Sequence, residues 1–398
     1  MMSTCFRKAG KGILAAFMTV ALLASAAGCS YTDGKAVATF SYESEDTGYY
    51  DITIDYDNPG DEGTLALFIN DHYYMKVCFP SGKGTVTETV TLKEGKGSIK
   101  FCCLPGDGNI KVSGYTVTPS EHHIALVVAP HEDDEILAFA GTIQHHVADG
   151  DTVKVVFLTT GDYFDKDLAP VRIQESVDAL ALLGVDKTDI YYLGYGDLSL
   201  LDLYECGDPN ATIGSFSGCT ETYGDPASNM YDYHSLATGK PAAYTYNNLK
   251  GDLYDIIDTV RPDAIYTTSE YEWHPDHAYA FKIVKDIVEE LSSREGYHTM
   301  LCEGAIHGED YDWPGVLEFD DNGDIVLTEY TDPFPTMETD LDWDEATKVT
   351  LTDEEALLKL AAIDEFYTQN YGGDNYEGSL EFNQAFCRRD EFYWIFEY

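Results

Sequence analysis

The feature that most restricts the fold is a series of apolar runs that alternate with helical segments after residue 122. Residues 124–129 form a continuous apolar run, which is typical of a strand buried on both faces of a parallel sheet. Further strands are predicted at 153–159, 190–193, 264–268 and 299–306, and helices at 135–148, 169–183, 247–260, 276–292 and 352–367. The alternation predicts an α/β domain over residues 122–398, with a Rossmann-like parallel sheet and helices on both faces.

Two segments interrupt the alternation. Residues 196–245 are loop-rich, and residues 309–350 are acidic, so we expect both to lie outside the core of the domain. After the second segment, Thr352 and Glu355 have the spacing of a capping box, which predicts that the last helix begins there.

The segment over residues 35–120 has a different pattern. Seven short stretches of β-rich composition are separated by turns rich in Gly, Pro, Asp and Asn, at residues 36–42, 50–56, 64–69, 73–79, 85–92, 98–103 and 109–118. This spacing predicts a small all-β sandwich that forms an accessory domain. Its sequence shows no catalytic pattern, so a glycan-binding module, a spacer and an interaction module all remain open.

The first 29 residues have the pattern of a lipoprotein-type signal peptide. Basic residues precede the apolar stretch 13–24, which is short for a transmembrane helix. The stretch leads to Ala26-Ala27-Gly28-Cys29, and small residues before a Cys resemble a bacterial lipoprotein signal, although Ala26 stands where Leu is usual. We predict a lipid anchor on Cys29 and an extracytoplasmic protein held at the bacterial cell membrane. Cleavage by an ordinary signal peptidase, which would give a secreted protein, is the alternative.

The charge balance excludes one class of partner. The 398 residues include 71 acidic and 24 basic residues, which gives a formal net charge of −47. Nucleic-acid binding needs Lys and Arg to neutralise phosphates, so we predict no nucleic-acid partner. Export also permits disulfides, and Cys206 and Cys219, which bracket a loop, are the best candidate pair; free thiols are the alternative.

The first cluster of polar residues is His131-Glu132-Asp133-Asp134-Glu135, where a buried strand ends and a helix begins. Ligands of open α/β sheets collect at the carboxyl ends of the strands. His131 and Asp134 are three residues apart, so one turn can direct both to a single point. A divalent metal ion would compensate the concentrated negative charge. A solvated acidic loop with an N-capping Asp is the alternative.

A second cluster, His274-Pro275-Asp276-His277, follows the predicted strand 264–268 and opens a helix. Both clusters are therefore predicted at the same edge of one sheet. His131, Asp134 and His277 would supply three protein ligands and leave a position for water, which is the open arrangement of a catalytic zinc site. Zn²⁺ is the predicted cofactor, with another divalent metal as the alternative.

These clusters resemble the motifs of the LmbE-like, or PIG-L, family of metal-dependent N-acetylglucosaminyl deacetylases. The first motif of that family reads Ala-His-Pro-Asp-Asp-Glu, and here Glu132 stands in place of the Pro. The second motif, His-Pro-Asp-His, is present unchanged. The resemblance covers residues 122–398, with further matching segments at 141–142, 158–162, 172–175, 193–197, 367–369 and 388–391.

The resemblance implies roles for the residues of both motifs. His131, Asp134 and His277 would bind the metal, and Asp133 would act as the general base. The alternative for Asp133 is a carboxylate in the outer shell around the metal.

Three more residues have implied roles around the substrate. His274 would stabilise the oxyanion, Asp276 would orient His274, and Arg172 would bind polar groups of the substrate. Alternatively, His274 only orients its loop and Arg172 forms a surface ion pair with Glu175. His307 is expected either to line the site or to be an ordinary loop histidine.

The function implied by the resemblance is a zinc-dependent N-deacetylase that hydrolyses the acetamide of an N-acetylated sugar or glycoconjugate outside the cell. Two alternatives are a zinc amidohydrolase for a non-sugar amide and an inactive glycan-binding surface lipoprotein. The complete set of His131, Asp133, Asp134 and His277 argues against the inactive protein.

Overall fold

The described chain combines antiparallel sheets at the N-terminal side with a larger, mostly parallel sheet. The structure is a computed structural model and describes residues 36–104, 109–163, 165–294, 296–373 and 376–398. The predicted signal peptide, residues 1–29 with Cys29, lies outside the described residues and stays a prediction. Within the described ranges, no helix is both long enough and apolar enough to cross a membrane.

All seven predicted N-terminal strands are present, and they form two antiparallel sheets. They are β1 (Ala36–Ser44), β2 (Gly48–Asn58), β3 (Gly63–Ile69), β4 (His72–Phe79), β5 (Gly82–Leu92), β6 (Gly95–Cys103) and β7 (Lys111–Pro119). One sheet has the order β1-β6-β3-β4 and the other has the order β5-β2-β7. Ile52 and Ile54 of β2 are buried in the same apolar cluster as Leu65 and Leu67 of β3, so the two sheets share one core.

The larger sheet contains seven strands, and β18 runs opposite to the other six. The remaining strands of the chain are β8 (Ile124–Ala129), β9 (Thr152–Thr159), β10 (Ile190–Tyr195), β11 (Ala264–Thr267), β12 (Met300–Glu303), β13 (Glu318–Phe319), β14 (Ile325–Val326), β15 (Thr347–Thr350), β16 (Gly372–Gly373), β17 (Tyr376–Glu377) and β18 (Asp390–Glu397). The large sheet has the order β10-β9-β8-β11-β12-β18-β15. The pairings of β18 with β12 and with β15 are antiparallel, and all the others in this sheet are parallel.

Helices cover both faces of this sheet, as predicted. They are α1 (Asp134–Asp149), α2 (Ala169–Leu182), α3 (Leu200–Tyr204), α4 (Tyr233–Thr238), α5 (Tyr246–Val260), α6 (Pro275–Ser292), α7 (Asp353–Asp364), α8 (Tyr367–Tyr371) and α9 (Leu380–Gln384). Val127 of β8 packs in one apolar cluster with residues of α1 and α2. Leu126 and Val128 pack in a second cluster with residues of α5 and α6. Alternate residues of β8 therefore face opposite layers, which explains why its sequence is apolar throughout.

Two strands of the large sheet differ from the prediction. The acidic segment 309–350 was expected to lie outside the core, but its last residues form β15 at the edge of the sheet, so that expectation is wrong there. Strand β18 has no counterpart among the predicted strands, although its residues Phe392 and Trp394 are buried. The predicted capping box is confirmed, because the Glu355 N–H donates to the Thr352 hydroxyl and the Thr352 N–H donates to the Glu355 carboxylate at the start of α7. Cys206 and Cys219 are both free thiols in the structure, so for these two residues the alternative holds and the candidate pairing is wrong.

The N-terminal sheets pack against the face of the large sheet that carries α4 and α5. Phe68 and Tyr73 belong to the apolar cluster that also contains Tyr191 and Tyr233. Lys154 of β9 is fully buried at this contact, with its Nζ 2.6 Å from Asp189 Oδ1 and 5.3 Å from the centre of the Tyr74 ring. A buried charge of this kind is stable only while its partners stay in place, so the two parts of the chain stabilise each other.

A buried ion pair joins α1 to the end of the chain. The backbone N–H groups of Gly141 and Thr142 donate to the two carboxylate oxygens of Glu391, at 2.7 and 2.8 Å. In a regular helix the Gly141 N–H would donate to Leu137 O, and here Leu137 O accepts a hydrogen bond of 2.7 Å from Lys359 Nζ. Lys359 Nζ also lies 2.9 Å from Glu391 Oε1, and both side chains are buried. A Cβ at Gly141 would lie 2.3 Å from Leu351 Cδ2, so a larger residue there would require the buried Leu351 side chain to move.

Candidate metal centre

The two predicted clusters meet at the carboxyl edge of the large sheet. The first lies between β8 and α1, the second opens α6 after β11, and β8 and β11 are parallel neighbours. His131 Nδ1 is 3.1 Å from Asp134 Oδ2, and His277 Nε2 is 3.3 Å from the same oxygen. All three side chains are buried. The structure therefore brings the three predicted metal ligands to a single point.

The far side of the His131 ring faces acceptors. His131 Nε2 lies 3.2 Å from both Asp276 Oδ2 and Asp197 Oδ1. A neutral imidazole carries one N–H. With that N–H on Nε2, where two carboxylates can accept it, the Nδ1 lone pair would face Asp134.

The His277 ring is held in the same way. Its Nδ1 lies 2.7 Å from Glu272 Oε2, so the Nε2 lone pair faces Asp134. Two imidazole lone pairs and a carboxylate oxygen that converge on one point repel each other unless a cation lies between them. The nitrogen and oxygen donors, with hydrogen bonds that fix each ring, fit a divalent metal such as zinc. Burial lowers the pKa of His277, but the carboxylates of Asp134 and Glu272 outweigh it and raise the pKa, so this point favours positive charge, which a metal ion would supply.

Glu272 was not identified from the sequence, although it holds the second cluster together. Its Oε1 accepts from the backbone N–H groups of Ser269 and Ile306, each at 3.1 Å, and its Oε2 accepts from the His307 N–H at 2.9 Å. The same Oε2 contacts His277 Nδ1. Glu272 therefore fixes both the tautomer and the orientation of a candidate metal ligand.

A Glu272→Gln variant is expected to weaken metal binding about 10–100-fold, because the amide replaces an acceptor that His277 and three backbone N–H groups need. Competition with a fluorescent zinc chelator measures the dissociation constant. Glu270→Gln is the matched control, since Glu270 makes a partly exposed contact of 3.4 Å with Lys285 and none of the bonds that Glu272 makes to the second cluster. Equal zinc affinity in both variants would contradict this role for Glu272.

Asp133 occupies a strained backbone position beside the ligands. Its φ is 137°, a value that residues with a side chain rarely adopt. The Asp133 N–H donates to Glu135 Oε2 at 3.0 Å, and Asp133 Oδ1 lies 3.5 Å from Arg172 Nη2. Burial raises the pKa of the Asp133 carboxyl above its usual range, while the Arg172 charge opposes that rise. The side chain lines the same cavity as His131, Asp134 and His277.

Glu132, the residue that departs from the family motif, lies against Arg172. It is fully buried, and its Oε2 lies 3.7 Å from Arg172 Nε. Arg172 Nη2 donates to Glu132 O at 2.7 Å. Burial raises the pKa of Glu132 to about 8, with Arg172 lowering it. Glu175 instead accepts from the Thr368 N–H at 2.8 Å, and Arg172 is only 5% exposed, so a surface ion pair between Arg172 and Glu175 is wrong.

His274 and Asp276 do not form the implied pair. Among the described residues, His274 Nδ1 is buried and has no hydrogen-bond partner. Burial lowers the pKa of His274, so its ring is neutral. Asp276 instead accepts from the N–H groups of Leu198, at 2.6 Å, and Leu200, at 3.0 Å, in addition to its contact with His131. Asp276 therefore orients His131 rather than His274.

Two adjoining cavities surround these residues and share Arg172, Asp197, His274 and Gln369 as walls. One, of about 190 Å³, contains the candidate metal ligands, and its wall includes His307. The other, of about 240 Å³, extends along Gly161 and Tyr163. Of the two expectations for His307, the position in the site is confirmed. Asp197 is the last residue of the matching segment 193–197 and follows β10. This position in the sequence could have identified it as a residue of the site.

The fold and the site together define an α/β protein with an open, three-ligand candidate metal centre at the carboxyl edge of a mostly parallel sheet. Residues 126–288, which include both motifs, match the family model described as PIG-L: GlcNAc-PI de-N-acetylase. This part of the chain matches the PIG-L family, and the family resemblance found in the sequence is confirmed.

Relatives of known sequence and structure cover parts of the chain. A 1D-myo-inositol 2-acetamido-2-deoxy-alpha-D-glucopyranoside deacetylase from Mycobacteroides abscessus is 30% identical over 187 residues, which span 46% of this chain and 61% of that protein. An N,N'-diacetylchitobiose deacetylase from Pyrococcus horikoshii is 23% identical over 43% of this chain and 51% of its own, with a TM-score of 0.29. A conserved protein from Thermus thermophilus is 18% identical over 62% of this chain and 79% of its own, with a TM-score of 0.36.

Proposed function

We propose that this protein is a zinc-dependent N-deacetylase that hydrolyses the acetamide of an N-acetylated sugar or glycoconjugate outside the cell. The convergence of His131 Nδ1 and His277 Nε2 on Asp134 Oδ2 inside a PIG-L domain is the observation that carries this proposal. The name of the Mycobacteroides relative states that it deacetylates a 2-acetamido sugar, which supports the same substrate class here. The lipid anchor on Cys29 belongs to the proposal as well, and its support is the sequence pattern of residues 1–29.

His131, Asp134 and His277 would hold the zinc ion, which supplies a Lewis acid that polarises the amide carbonyl and lowers the pKa of water. Asp133 takes a proton from the attacking water and then delivers it to the leaving nitrogen, so that acetate and a free amine are released. The neutral His274 donates a hydrogen bond to the carbonyl oxygen as negative charge develops there. Arg172 holds the Asp133 carboxylate and offers its remaining hydrogen-bonding capacity to substrate polar groups along the cavity wall.

Metal content and acetate release test the proposal together. The purified chain without residues 1–29 is expected to hold about one zinc ion per molecule by elemental analysis, in keeping with a three-ligand open site. It should release acetate from a panel of N-acetylated sugars, lose that activity after chelation, and regain it with added zinc. A protein that stays metal-free at micromolar zinc would contradict the assignment of the site. A metal-loaded protein that releases no acetate from the panel would favour a non-sugar amide or an inactive glycan-binding protein.

A further inference from the structure

Two pairs of stacked aromatic rings stand at the surface beside the metal cavity. Trp273 and Tyr311 have ring centres 4.4 Å apart and planes that differ by 14°. Tyr163 and Phe216 have ring centres 4.6 Å apart and planes that differ by 24°. Tyr311 and Phe216 are each 72% exposed. In each pair the outer ring stacks on a less exposed ring and presents a flat and rigid apolar face to solvent.

Each pair borders one of the two adjoining cavities. Tyr163 lines the cavity of about 240 Å³ together with Arg172 and His274. The ring centre of Trp273 lies 4.4 Å from that of His307, which lines the cavity of about 190 Å³. His274 lines both cavities, so the reacting position lies between the two pairs. The outer rings come from the segments 196–245 and 309–350, which lie outside the two sequence motifs.

Polar residues flank both outer rings in the sequence. Phe216 lies between Ser215 and Ser217, whose hydroxyl oxygens are 2.9 Å apart, and Ser217 also donates to Asp162. Tyr311 lies between the exposed residues Asp310 and Asp312. A flat apolar face with a rim of hydrogen-bonding groups matches a pyranose ring, which has an apolar face and a rim of hydroxyls. An acyl chain would desolvate these polar groups without pairing them, which costs free energy.

We propose that the Trp273–Tyr311 and Tyr163–Phe216 pairs are stacking platforms for sugar residues on the two sides of the reacting residue. The substrate is then an oligosaccharide of N-acetylated sugars, at least three residues long, rather than a monosaccharide. This inference rests on the proposed deacetylase function. The net charge of −47 supports an uncharged glycan over an anionic one, and the amine that deacetylation creates would be attracted to the acidic surface.

The test compares N-acetylglucosamine with its β-1,4-linked oligomers of two to six residues, using the zinc-loaded chain. The ratio of kcat/KM for the tetramer to kcat/KM for the monomer is expected to exceed about tenfold, because each stacked ring adds binding that a monomer cannot use. Phe216→Ala and Tyr311→Ala should each lower that ratio about fivefold, and the double variant should lower it further. Phe319→Ala is the matched control, since Phe319 is 59% exposed but lies in the β13–β14 hairpin and contributes to neither pair.

The outcomes separate this inference from the proposed function. Acetate release that does not depend on oligomer length, or a tetramer-to-monomer ratio that neither variant changes, would overturn the inference and leave the deacetylase function standing. Absence of acetate release from every oligomer would overturn the proposed function. In that case, binding of the hexamer is measured by the quenching of Trp273 fluorescence. Quenching that becomes weaker in Phe216→Ala would support the platforms, and the absence of quenching would overturn them. A gain in activity with an alkyl aglycone, without a gain with oligomer length, would assign the rings to an acyl chain and overturn the inference.

Discussion

Replacing Asp133 by Asn is expected to lower kcat for acetate release by about 10²–10⁴-fold while the zinc content stays at the wild-type value. The Asn side chain has the same shape as the carboxylate, so it fits the strained position at φ 137° and the contact with Arg172. It cannot accept a proton from water or return one to the leaving nitrogen. Since His131, Asp134 and His277 are unchanged, the metal remains bound. Elemental analysis and an enzymatic acetate assay on the same preparation measure both quantities.

The matched control for this variant is Asp167→Asn, at an exposed aspartate before α2, which should keep both zinc and activity. Loss of zinc from Asp133→Asn would show that Asp133 helps to hold the metal. Unchanged kcat would contradict its role as the general base. Neither result would change the geometry of the three candidate ligands. The experiment therefore separates the two roles of the first motif, which are metal binding and proton transfer.

Lys359→Met is expected to lower the free energy of unfolding by about 3–5 kcal/mol, the usual cost of removing one partner from a buried ion pair. The substitution leaves the Glu391 carboxylate buried without its cation and leaves Leu137 O without its donor. Methionine has nearly the volume of lysine, so the loss comes from charge and hydrogen bonding rather than from a cavity. Urea denaturation followed by circular dichroism measures the change.

Lys285→Met provides the comparison for the stability experiment. Its contact with Glu270 is partly exposed at 3.4 Å, and an ion pair of that kind contributes about 0–1 kcal/mol. Equal destabilisation by the two substitutions would show that the buried ion pair contributes no more to the free energy of unfolding than the partly exposed one. A variant of Lys359 as stable as the wild type would show that the N–H groups of Gly141 and Thr142, with the Thr142 hydroxyl, are sufficient to hold Glu391.

Local sequence patterns predicted much of the core and the metal motifs. The continuous apolar run of β8 and the capping box of α7 depend on neighbouring residues, and the structure contains both. The three candidate ligands follow from two short motifs at parallel strand ends. The descriptions of the sheets as a Rossmann-like fold and a sandwich, and the domain boundaries, stay predictions.

Features that depend on distant residues were not predicted. Strand β18 pairs with β12 and β15, and neither pairing leaves a local signal in its aromatic sequence. Asp276 is one residue before His277, yet it contacts His131 because α3 and the residues before it donate two N–H groups to its carboxylate. Glu272 gains its role only when the chain after β12 folds back over it. Side-chain partners of this kind are set by three-dimensional packing, which a short motif does not encode.

The hydrogen bonds between Glu391 and α1 also set the order in which the protein can fold and take up its metal. A ribosome adds residues in sequence, so every candidate metal ligand has been synthesised more than a hundred positions before Glu391. Until then the N–H groups of Gly141 and Thr142 lack their carboxylate acceptor, and β12 has an unpaired edge. The helix that begins at the first motif therefore reaches its final bonding only after β18 has been synthesised, and we expect stable metal uptake to follow the synthesis of that strand.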